Sequence, residues 1–370
     1  MFVQEIKLHH MKMKLKNPFK TSFGTIQDKE FFIIEAIDAH GNSGFGETVA
    51  FTIPWYTEET VKTNHHVIND FLIPLLRNQS IEHPKEVAEL FRRVKGNHMA
   101  KAAIECAIWD LYAKQQGLPL AEVLGGDKNE IDVGISLGIQ PSSQDLLEMI
   151  DHYTSQGYKR VKIKIKPGHD VDVLREVRHH FPELTLMADA NGAYSSKDFN
   201  ILTKLDEFDL IMIEQPLAEH DLLGHAALQK SMKTPICLDE SIHSLTDAQL
   251  AIHLGSCQII NIKIGRVGGI TEAINIHHYC RDHQVPVWCG GMLESGIGRA
   301  YNIAIASLPQ FTFPGDIGES SHYWYEDIID PEVSVYHGQI QIPTTPGIGY
   351  NINQKTFNKY RYHTEIFNLS

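Results

Sequence analysis

The segment YKRVKIKIKPG, residues 158–168, alternates apolar and cationic side chains. Val161, Ile163 and Ile165 take the apolar positions, and a lysine follows each of them. A period of two predicts a β-strand, whose side chains point alternately to opposite faces. One face is therefore entirely β-branched and the other entirely lysine. The lysine face is either an ordinary solvent-exposed face, which is common on strands, or a row of cations held inside the protein.

The first part of the chain has strand patterns followed by helical patterns. The strand patterns cover residues 2–15 and 31–37, and the helical ones cover 58–77, 84–95 and 99–116. The last helix is predicted to be amphipathic and to end at Gly117 and Pro119. Strands followed by helices favour a compact α+β domain, and we expect it to span residues 1–125.

From residue 126 the pattern changes to short apolar strands that alternate with helical segments. Alternation of this kind predicts a parallel sheet, and seven or more strands favour a closed (β/α) barrel over an open sheet. We expect this barrel to span residues 126–330 and the tail, 331–370, to return to the first domain. The seven predicted strands cover residues 133–139, 161–165, 185–190, 210–216, 235–241, 259–265 and 285–291.

Composition and charge limit the possible partners. The net charge is −13, which argues against nucleic acid or an anionic membrane as the main partner, since both require a basic surface. The five cysteines include no CxxC pair, which is typical of reduced thiols in the cytoplasm. The chain also has neither a signal-peptide pattern at its start nor an apolar run long enough to span a membrane. We therefore expect a cytoplasmic protein that acts on a small molecule.

Ionisable residues recur at the ends of the predicted barrel strands, about 25 residues apart: Lys164, Asp189, Glu214, Asp239 and Lys263. This interval corresponds to one strand, one helix and two short loops. Each unit would therefore deliver one ionisable side chain to the same end of the barrel. The active sites of characterised barrel enzymes lie at this carboxyl end.

The three acids among these residues predict a metal site. Asp189, Glu214 and Asp239 each follow apolar strand residues, and buried carboxylates are costly unless they are paired or bound to metal. Ligation by oxygen alone favours Mg²⁺, with Mn²⁺ as the alternative. A salt bridge or a helix N-cap would explain any single acid, but not three acids at matched positions.

A metal at the barrel mouth changes the interpretation of the lysine strand. The apolar side chains of the strand should pack against the helices, so Lys162 and Lys164 should point inward, whereas Lys166 should be solvated. Lys263 should approach from across the barrel. Nearby cations lower the pKa of a lysine, which makes it a usable base near neutral pH. One lysine could then remove the proton α to a substrate carboxylate and form an enediolate, whose charge the metal would stabilise.

Six segments of the chain together resemble the muconate-lactonising subgroup of the enolase superfamily. They are VKIKIKPG, MADAN, MIEQP, CLDES, NIKIGRVGG and WCGGMLESGIGRA. The pattern is most similar to the o-succinylbenzoate synthase / N-succinylamino acid racemase (N-acylamino acid racemase) branch, from FKTSFG near residue 19 to FPGD ending at residue 316. The resemblance implies an α/β fold: a TIM-like (β/α)7β barrel with an α+β capping domain.

The resemblance also implies roles for single residues. Lys164 would be the general base, Lys162 an auxiliary cation and Lys263 the second acid/base group. The three acids would bind Mg²⁺. In a synthase, Lys164 would remove the α-proton of a cyclohexadiene carboxylate and return it to the departing hydroxide, giving o-succinylbenzoate for menaquinone synthesis. In a racemase, the two lysines would serve opposite faces of an N-acylamino acid.

Other activities of the superfamily fit the sequence less well. A dipeptide epimerase would carry an Asp-x-Asp motif on its eighth strand, which GGMLESG and FPGDIGES lack. A muconate cycloisomerase is a further alternative. A barrel that has lost its activity would lack an acid or a base, and none is missing here.

Further residues are candidate contacts. We expect Ser136, Asn191, Gly291, Met292 and Glu294 to contact substrate or to support those that do. Arg266 either tunes the pKa of Lys263 or forms an ordinary surface ion pair. Loops at residues 21–23 and 51–56 should cover the barrel. The segment HHYCRDH, residues 277–283, has metal-binding residue types, but most of it should be helical and we do not expect zinc there. We also expect a homo-oligomer.

Overall fold

The computed structural model describes residues 3–20 and 25–369 of the chain. The first three strands are β1 (Val3–Lys20), β2 (Thr25–Asp38) and β3 (Ser43–Glu47), and neighbours in this order pair antiparallel. Each face of the sheet is buried along part of its length. Ile6 and Leu8 pack with the cap helices, whereas Met11 and Met13 join a core that continues into the barrel. The sheet thus connects the two parts of the protein.

Five helices follow, with a π-helical turn at Ile68–Leu72: α1 (Val61–Val67), α2 (Ile73–Leu76), α3 (Lys85–Phe91), α4 (His98–Gln116) and α5 (Leu120–Leu124). A short strand, β4 (Glu130–Asp132), comes next. The predicted amphipathic helix is α4, but it is buried on most sides because β3 lies against it. A Cβ atom at Gly44 would lie 2.1 Å from the carbonyl oxygen of Ala107, so glycine permits this contact.

Seven parallel strands form the second sheet, and their order in the sheet is their order in the chain. They are β5 (Gly134–Leu137), β6 (Arg160–Lys164), β7 (Leu186–Asp189), β8 (Ile213–Glu214), β9 (Ile236–Leu238), β10 (Ile259–Ile262) and β11 (Val287–Cys289). The helices that connect or follow them are α6 (Ser143–Ser155), α7 (Val171–His180), α8 (Phe199–Leu202), α9 (Leu222–Ser231), α10 (Leu245–Leu254), α11 (Ile264–Val267), α12 (Ile270–Asp282) and α13 (Gly296–Ala306). Turns of 3₁₀ helix flank α8 at Ser196–Asp198 and Thr203–Phe208.

Residues 311–316 close the barrel. Phe311 forms a parallel bridge with Val287, and Gly315 forms one with Val133. Gly134 N donates to Gly315 O at 2.8 Å, and Asp316 N donates to Cys289 O at 2.9 Å. This segment therefore joins the first and seventh barrel strands and takes the place of an eighth. The predicted (β/α)7β barrel with a separate cap is confirmed.

The lysine strand, β6, has the predicted orientation. Val161, Ile163 and Ile165 are buried in the core between the strands and the helices. Lys162 points inward, 5.0 Å from the centre of the Trp288 ring, which belongs to an apolar cluster inside the barrel. Lys166, beyond the end of β6, is exposed. The solvent-exposed alternative is therefore wrong for Lys162.

The tail contains α14 (Ser320–Tyr323), β12 (Ile329–Asp330), β13 (Gln339–Gln341), β14 (Asn351–Ile352), α15 (Gln354–Tyr360) and β15 (Arg361–Asn368). The last strand pairs antiparallel with β1, so the first sheet has the order β15-β1-β2-β3. In the described part of the chain, every helix is too short or too polar to cross a membrane.

Candidate active site

The six principal residues predicted from the sequence lie at the carboxyl end of the barrel. Asp189 and Glu214 end β7 and β8, and Asp239 directly follows β9. The carboxylates are buried because the strands that carry them are core strands. Lys162 and Lys164 belong to β6, and Lys263 directly follows β10. The strand spacing thus brings the acids and the lysines to one end of the sheet.

Lys162 is a buried cation surrounded by carboxylates. Its Nζ lies 2.5 Å from Asp316, 3.0 Å from Glu214 and 3.3 Å from Asp189. Burial lowers the pKa of Lys162, but the negative charges of Asp316, Glu214 and Asp189 outweigh burial and raise this pKa above its ordinary value. Carboxylates are thus the direct neighbours of Lys162, and they favour its cationic form.

Lys164 is the more accessible of the two lysines on β6. Its Nζ donates to Asp189 Oδ2 and to Asn191 Oδ1, both at 2.6 Å. Its side chain is 23% exposed, compared with 4% for Lys162. The amine of Lys164 can therefore reach a molecule in the cavity.

Lys263 lies at the end of β10, four strands away from β6. Its Nζ donates to Asp239 Oδ2 at 2.8 Å and to Tyr56 Oη at 3.1 Å. Burial lowers the pKa of Lys263, but Tyr56, Glu214 and Glu240 raise it above its ordinary value. Tyr56 belongs to the predicted covering loop at residues 51–56. The other predicted loop, residues 21–23, lies outside the described residues.

Arg266 is buried in the turn after β10, so the interpretation as a surface ion pair is wrong. Its Nη1 donates to Asp239 Oδ1, and its Nε donates to Ile242 O at 2.7 Å. A third bond, from Nη2 to Asn261 O, measures 2.5 Å. Because Arg266 and Lys263 share Asp239, Arg266 can influence Lys263 through this carboxylate.

The three predicted metal ligands divide into two groups. Asp189 and Glu214 both contact Lys162, whereas Asp239 contacts Lys263 and Arg266. Among residues 3–20 and 25–369, these three carboxylates do not form a group whose ligand atoms all lie within 4.8 Å of one another. The structure brings Asp189 and Glu214 together through a shared lysine, and Asp239 lies on the Lys263 side of the mouth.

Two further acids at the mouth were not assigned from the sequence. Glu240 accepts from Asn191 Nδ2 at 2.9 Å, and its other carboxylate oxygen is buried without a partner. Burial, followed by the charge of Asp189, raises the pKa of Glu240. The carboxylate of Asp316 forms ion pairs with Lys162 and Arg160. Both acids could have been predicted from the sequence, because Glu240 follows Asp239 in CLDES and Asp316 is the last residue of FPGD.

The candidate contact residues all line the same cavity of about 1580 Å³. Ser136 pairs with Lys162 across β5 and β6, and Asn191 connects Lys164 to Glu240. Gly291, Met292 and Glu294 follow β11 and also line the cavity. Glu294 accepts from Met292 N at 2.8 Å. This bond holds the loop that follows β11.

The cavity has an apolar side as well as a charged one. Ile139, Met149 and Tyr153 line it, together with Trp55 and Tyr56 from the covering loop. Its volume exceeds the 300–1,000 Å³ or so that is usual for small-molecule sites. It can therefore hold a ring or an alkyl chain beyond the charged groups at the strand ends.

Comparison with known proteins identifies the family. Residues 3–125 match the N-terminal domain of the mandelate racemase / muconate lactonizing enzyme family, and residues 145–356 match the enolase C-terminal domain-like family. An o-succinylbenzoate synthase from Geobacillus kaustophilus is 57% identical over 99% of this chain and 97% of its own length. An N-succinylamino acid racemase from Thermus thermophilus is 43% identical over 95% of each chain.

A solved structure agrees with these sequence matches. A member of the enolase superfamily from Listeria innocua has a TM-score of 0.98 and 46% identity, covering 100% of both chains. Both domains of the present chain are therefore accounted for by one family of enzymes. The chain belongs to the mandelate racemase / muconate lactonizing enzyme family of the enolase superfamily.

Proposed function

We propose that the protein dehydrates a 2-succinyl-6-hydroxycyclohexadiene carboxylate to o-succinylbenzoate, in a Mg²⁺-dependent reaction of menaquinone biosynthesis. The observation that carries this proposal is the pair of lysines that enters one cavity from opposite sides. Lys164 comes from β6 and Lys263 from the end of β10, and buried carboxylates lie on the strands between them. The relative named o-succinylbenzoate synthase, 57% identical to this chain, supports the choice of product.

The acids at the mouth fit a hard divalent cation. Asp189, Glu214 and Asp239 offer only oxygen ligands, they are buried, and they stand at the ends of three consecutive strands. The unpaired, buried oxygen of Glu240 is a further polar atom without a partner at this place. We propose that the three acids hold Mg²⁺, or Mn²⁺ in its place. When bound, the ion stabilises negative charge that develops on the substrate carboxylate.

Lys164 is the proposed general base. Its neutral amine would take the proton from the carbon α to the substrate carboxylate, and its bonds to Asn191 and Asp189 would fix the position of Nζ. The ammonium formed in this step would then give the proton to the departing hydroxyl group. The C–O bond breaks, water leaves and the ring becomes aromatic. The lysine is thereby returned to its starting state.

Lys263 and Lys162 are proposed to remain cationic during dehydration. The pKa of each is raised above its ordinary value by neighbouring acidic groups, despite burial. Lys263 would place positive charge on the face of the substrate opposite Lys164. Lys162 would neutralise the acids behind the site. The apolar wall formed by Ile139, Met149 and Tyr153 suits a carbon ring.

An N-succinylamino acid racemase is the second candidate, and both activities in one protein are compatible with the site. The favouring observation is that Lys263 also ends in the cavity and could act as a base from the other face. The 43% identity to a racemase from Thermus thermophilus supports this candidate. Each lysine would remove the α-proton of one enantiomer, and the other lysine would return a proton.

The purified protein should be incubated with Mg²⁺ and each substrate separately. We expect the cyclohexadiene carboxylate to give o-succinylbenzoate, detected by its aromatic proton resonances, and EDTA to abolish its formation. A Lys164→Ala variant serves as the enzyme blank, since the cyclohexadiene can decay without catalysis. Racemisation of N-succinylamino acids without any enzyme-dependent aromatic product would refute the synthase proposal.

We also propose that the protein works in the cytoplasm as a homo-oligomer. The five cysteines are free and buried, which suits a reducing compartment. Its partner in this proposal is a small carboxylate substrate. Size-exclusion chromatography with light scattering would establish the number of subunits.

A further inference from the structure

Two histidines and a glutamate from distant parts of the sequence meet in the cap. His10 belongs to β1, His65 to α1 and Glu365 to β15. One ligand atom from each lies within 4.8 Å of the others, and no other such group of three potential ligands occurs among residues 3–20 and 25–369. None of the three belongs to the barrel mouth. We propose that this cluster, the cap site, binds a Zn²⁺ ion, independently of the proposed reaction.

The three potential ligand atoms lie close together. His10 Nε2 and His65 Nε2 both lie 2.6 Å from the same oxygen of Glu365, Oε1. Ligand atoms around a tetrahedral Zn²⁺ with bonds of about 2.0 Å are separated by roughly 3.3 Å. The two nitrogens thus lie closer to Glu365 Oε1 than two ligands of one Zn²⁺ would, and they lie within 4.8 Å of each other. Small side-chain movements would therefore open a site among the three atoms.

One polar atom beside the cap site lacks a hydrogen-bond partner. Asn69 Nδ2 lies 3.0 Å from His65 Nε2 and 3.1 Å from Glu365 Oε2. When His65 Nε2 carries a proton, it donates to Glu365 Oε1, and Asn69 Nδ2 donates to Glu365 Oε2. When His65 Nε2 carries none, its lone pair lies beside the carboxylate and can bind a cation. Asn69 Oδ1 is moreover buried without a partner. A cation would use the lone pair of His65 and the carboxylate oxygen together.

The chemical types of the three ligands favour Zn²⁺ over Mg²⁺. Two imidazole nitrogens and one carboxylate are a common set for Zn²⁺, whereas Mg²⁺ prefers oxygen alone. The side chains of His65 and Glu365 are 36% and 27% exposed, so an ion can enter from solvent and a water can complete its shell. The cap site should therefore take Zn²⁺ in the presence of the Mg²⁺ that we propose for the barrel.

Binding of Zn²⁺ would stabilise the contact of the C-terminal strand, β15, with the rest of the cap. Glu365 is 300 residues from His65 in sequence, and β15 is an edge strand. A ligand that binds only the folded form stabilises it by mass action. We expect the ion to stabilise the pairing of β15 with β1 and the packing of α1 on that sheet.

The full-length protein, stripped with EDTA and then saturated with Mg²⁺, should be titrated with ZnCl₂ by calorimetry. We expect one Zn²⁺ per chain to bind more tightly than any adventitious ions. His65→Ala and Glu365→Gln should each weaken this binding about 100-fold or more, since even residues that only support a ligand often change affinity 10- to 100-fold. His66→Ala is the matched control, because His66 is the next residue of α1, is 62% exposed and contacts Asp70 instead.

Thermal unfolding gives a second readout. Zn²⁺ should raise the Tm of the wild type and of His66→Ala, and it should leave the Tm of His65→Ala and Glu365→Gln nearly unchanged. Circular dichroism and Mg²⁺-dependent turnover establish that the variants are folded. Weak binding of several ions that is the same in all four proteins would overturn the proposal, as would equal affinity of the wild type and His65→Ala.

Discussion

The barrel mouth and the cap site are both clusters of potential metal ligands, but they arise in different ways. The acids of the mouth, Asp189, Glu214 and Asp239, stand at the ends of consecutive parallel strands and are buried. The residues of the cap site come from two antiparallel strands and a helix and are partly exposed. Buried carboxylates require compensation by cations, whereas a partly exposed carboxylate can also be stabilised by water. Charge balance should therefore matter more at the mouth than in the cap.

The largest expected effect separates the lysines of the β6 segment. Lys164→Ala should lower kcat by about 10³-fold or more, since loss of a general base typically costs 10²- to 10⁴-fold. Lys166→Ala is the control because Lys166 lies beyond the end of β6 and is exposed, and it should retain nearly full kcat. Initial rates with saturating substrate and Mg²⁺ give the comparison. Equal losses in the two variants would contradict the role of Lys164.

The second-largest expected effect is a loss of stability when Lys162, the buried cation, is replaced. Lys162→Met leaves Asp316, Glu214 and Asp189 without their shared partner, and breaking a buried pair costs about 3–5 kcal/mol. Urea-induced unfolding in Mg²⁺-free buffer should reveal this loss of unfolding free energy. Lys166→Met should change the same quantity by less than about 0.5 kcal/mol, as is usual for surface positions. A loss below about 1 kcal/mol for Lys162→Met would mean that the acids are neutralised in another way.

The sequence predicted most of the mouth because its residues obey a period. In a parallel barrel, one strand, one helix and two loops recur, so acids about 25 residues apart reach the same end. The alternation in β6 likewise predicted that Lys162 faces inward. The pattern of residues 99–116 predicts an amphipathic helix, but the pattern of one helix does not reveal that β3 covers the second side of α4.

Other features depend on contacts that no local pattern records. The pKa of Lys162 is raised because Asp316, more than 150 residues away in sequence, reaches its amine. The division of the acids between Lys162 and Lys263 depends on side-chain conformations. The cap site depends on the register that brings β15 beside β1, and its histidines were indistinguishable in the sequence from the other scattered histidines.

Exchange of the α-proton in D₂O tests the central claim most directly, namely that Lys164 and Lys263 act on opposite faces of one substrate. Each enantiomer of an N-succinylamino acid should be incubated with Mg²⁺ and wild type, Lys164→Ala or Lys263→Ala, and α-deuterium should be followed by NMR. The wild type should exchange both enantiomers, which is the racemase activity proposed as the second candidate. Lys263→Ala should retain exchange of only one, and Lys164→Ala of only the other. Equal loss for both enantiomers in each variant would contradict the assignment of the two faces.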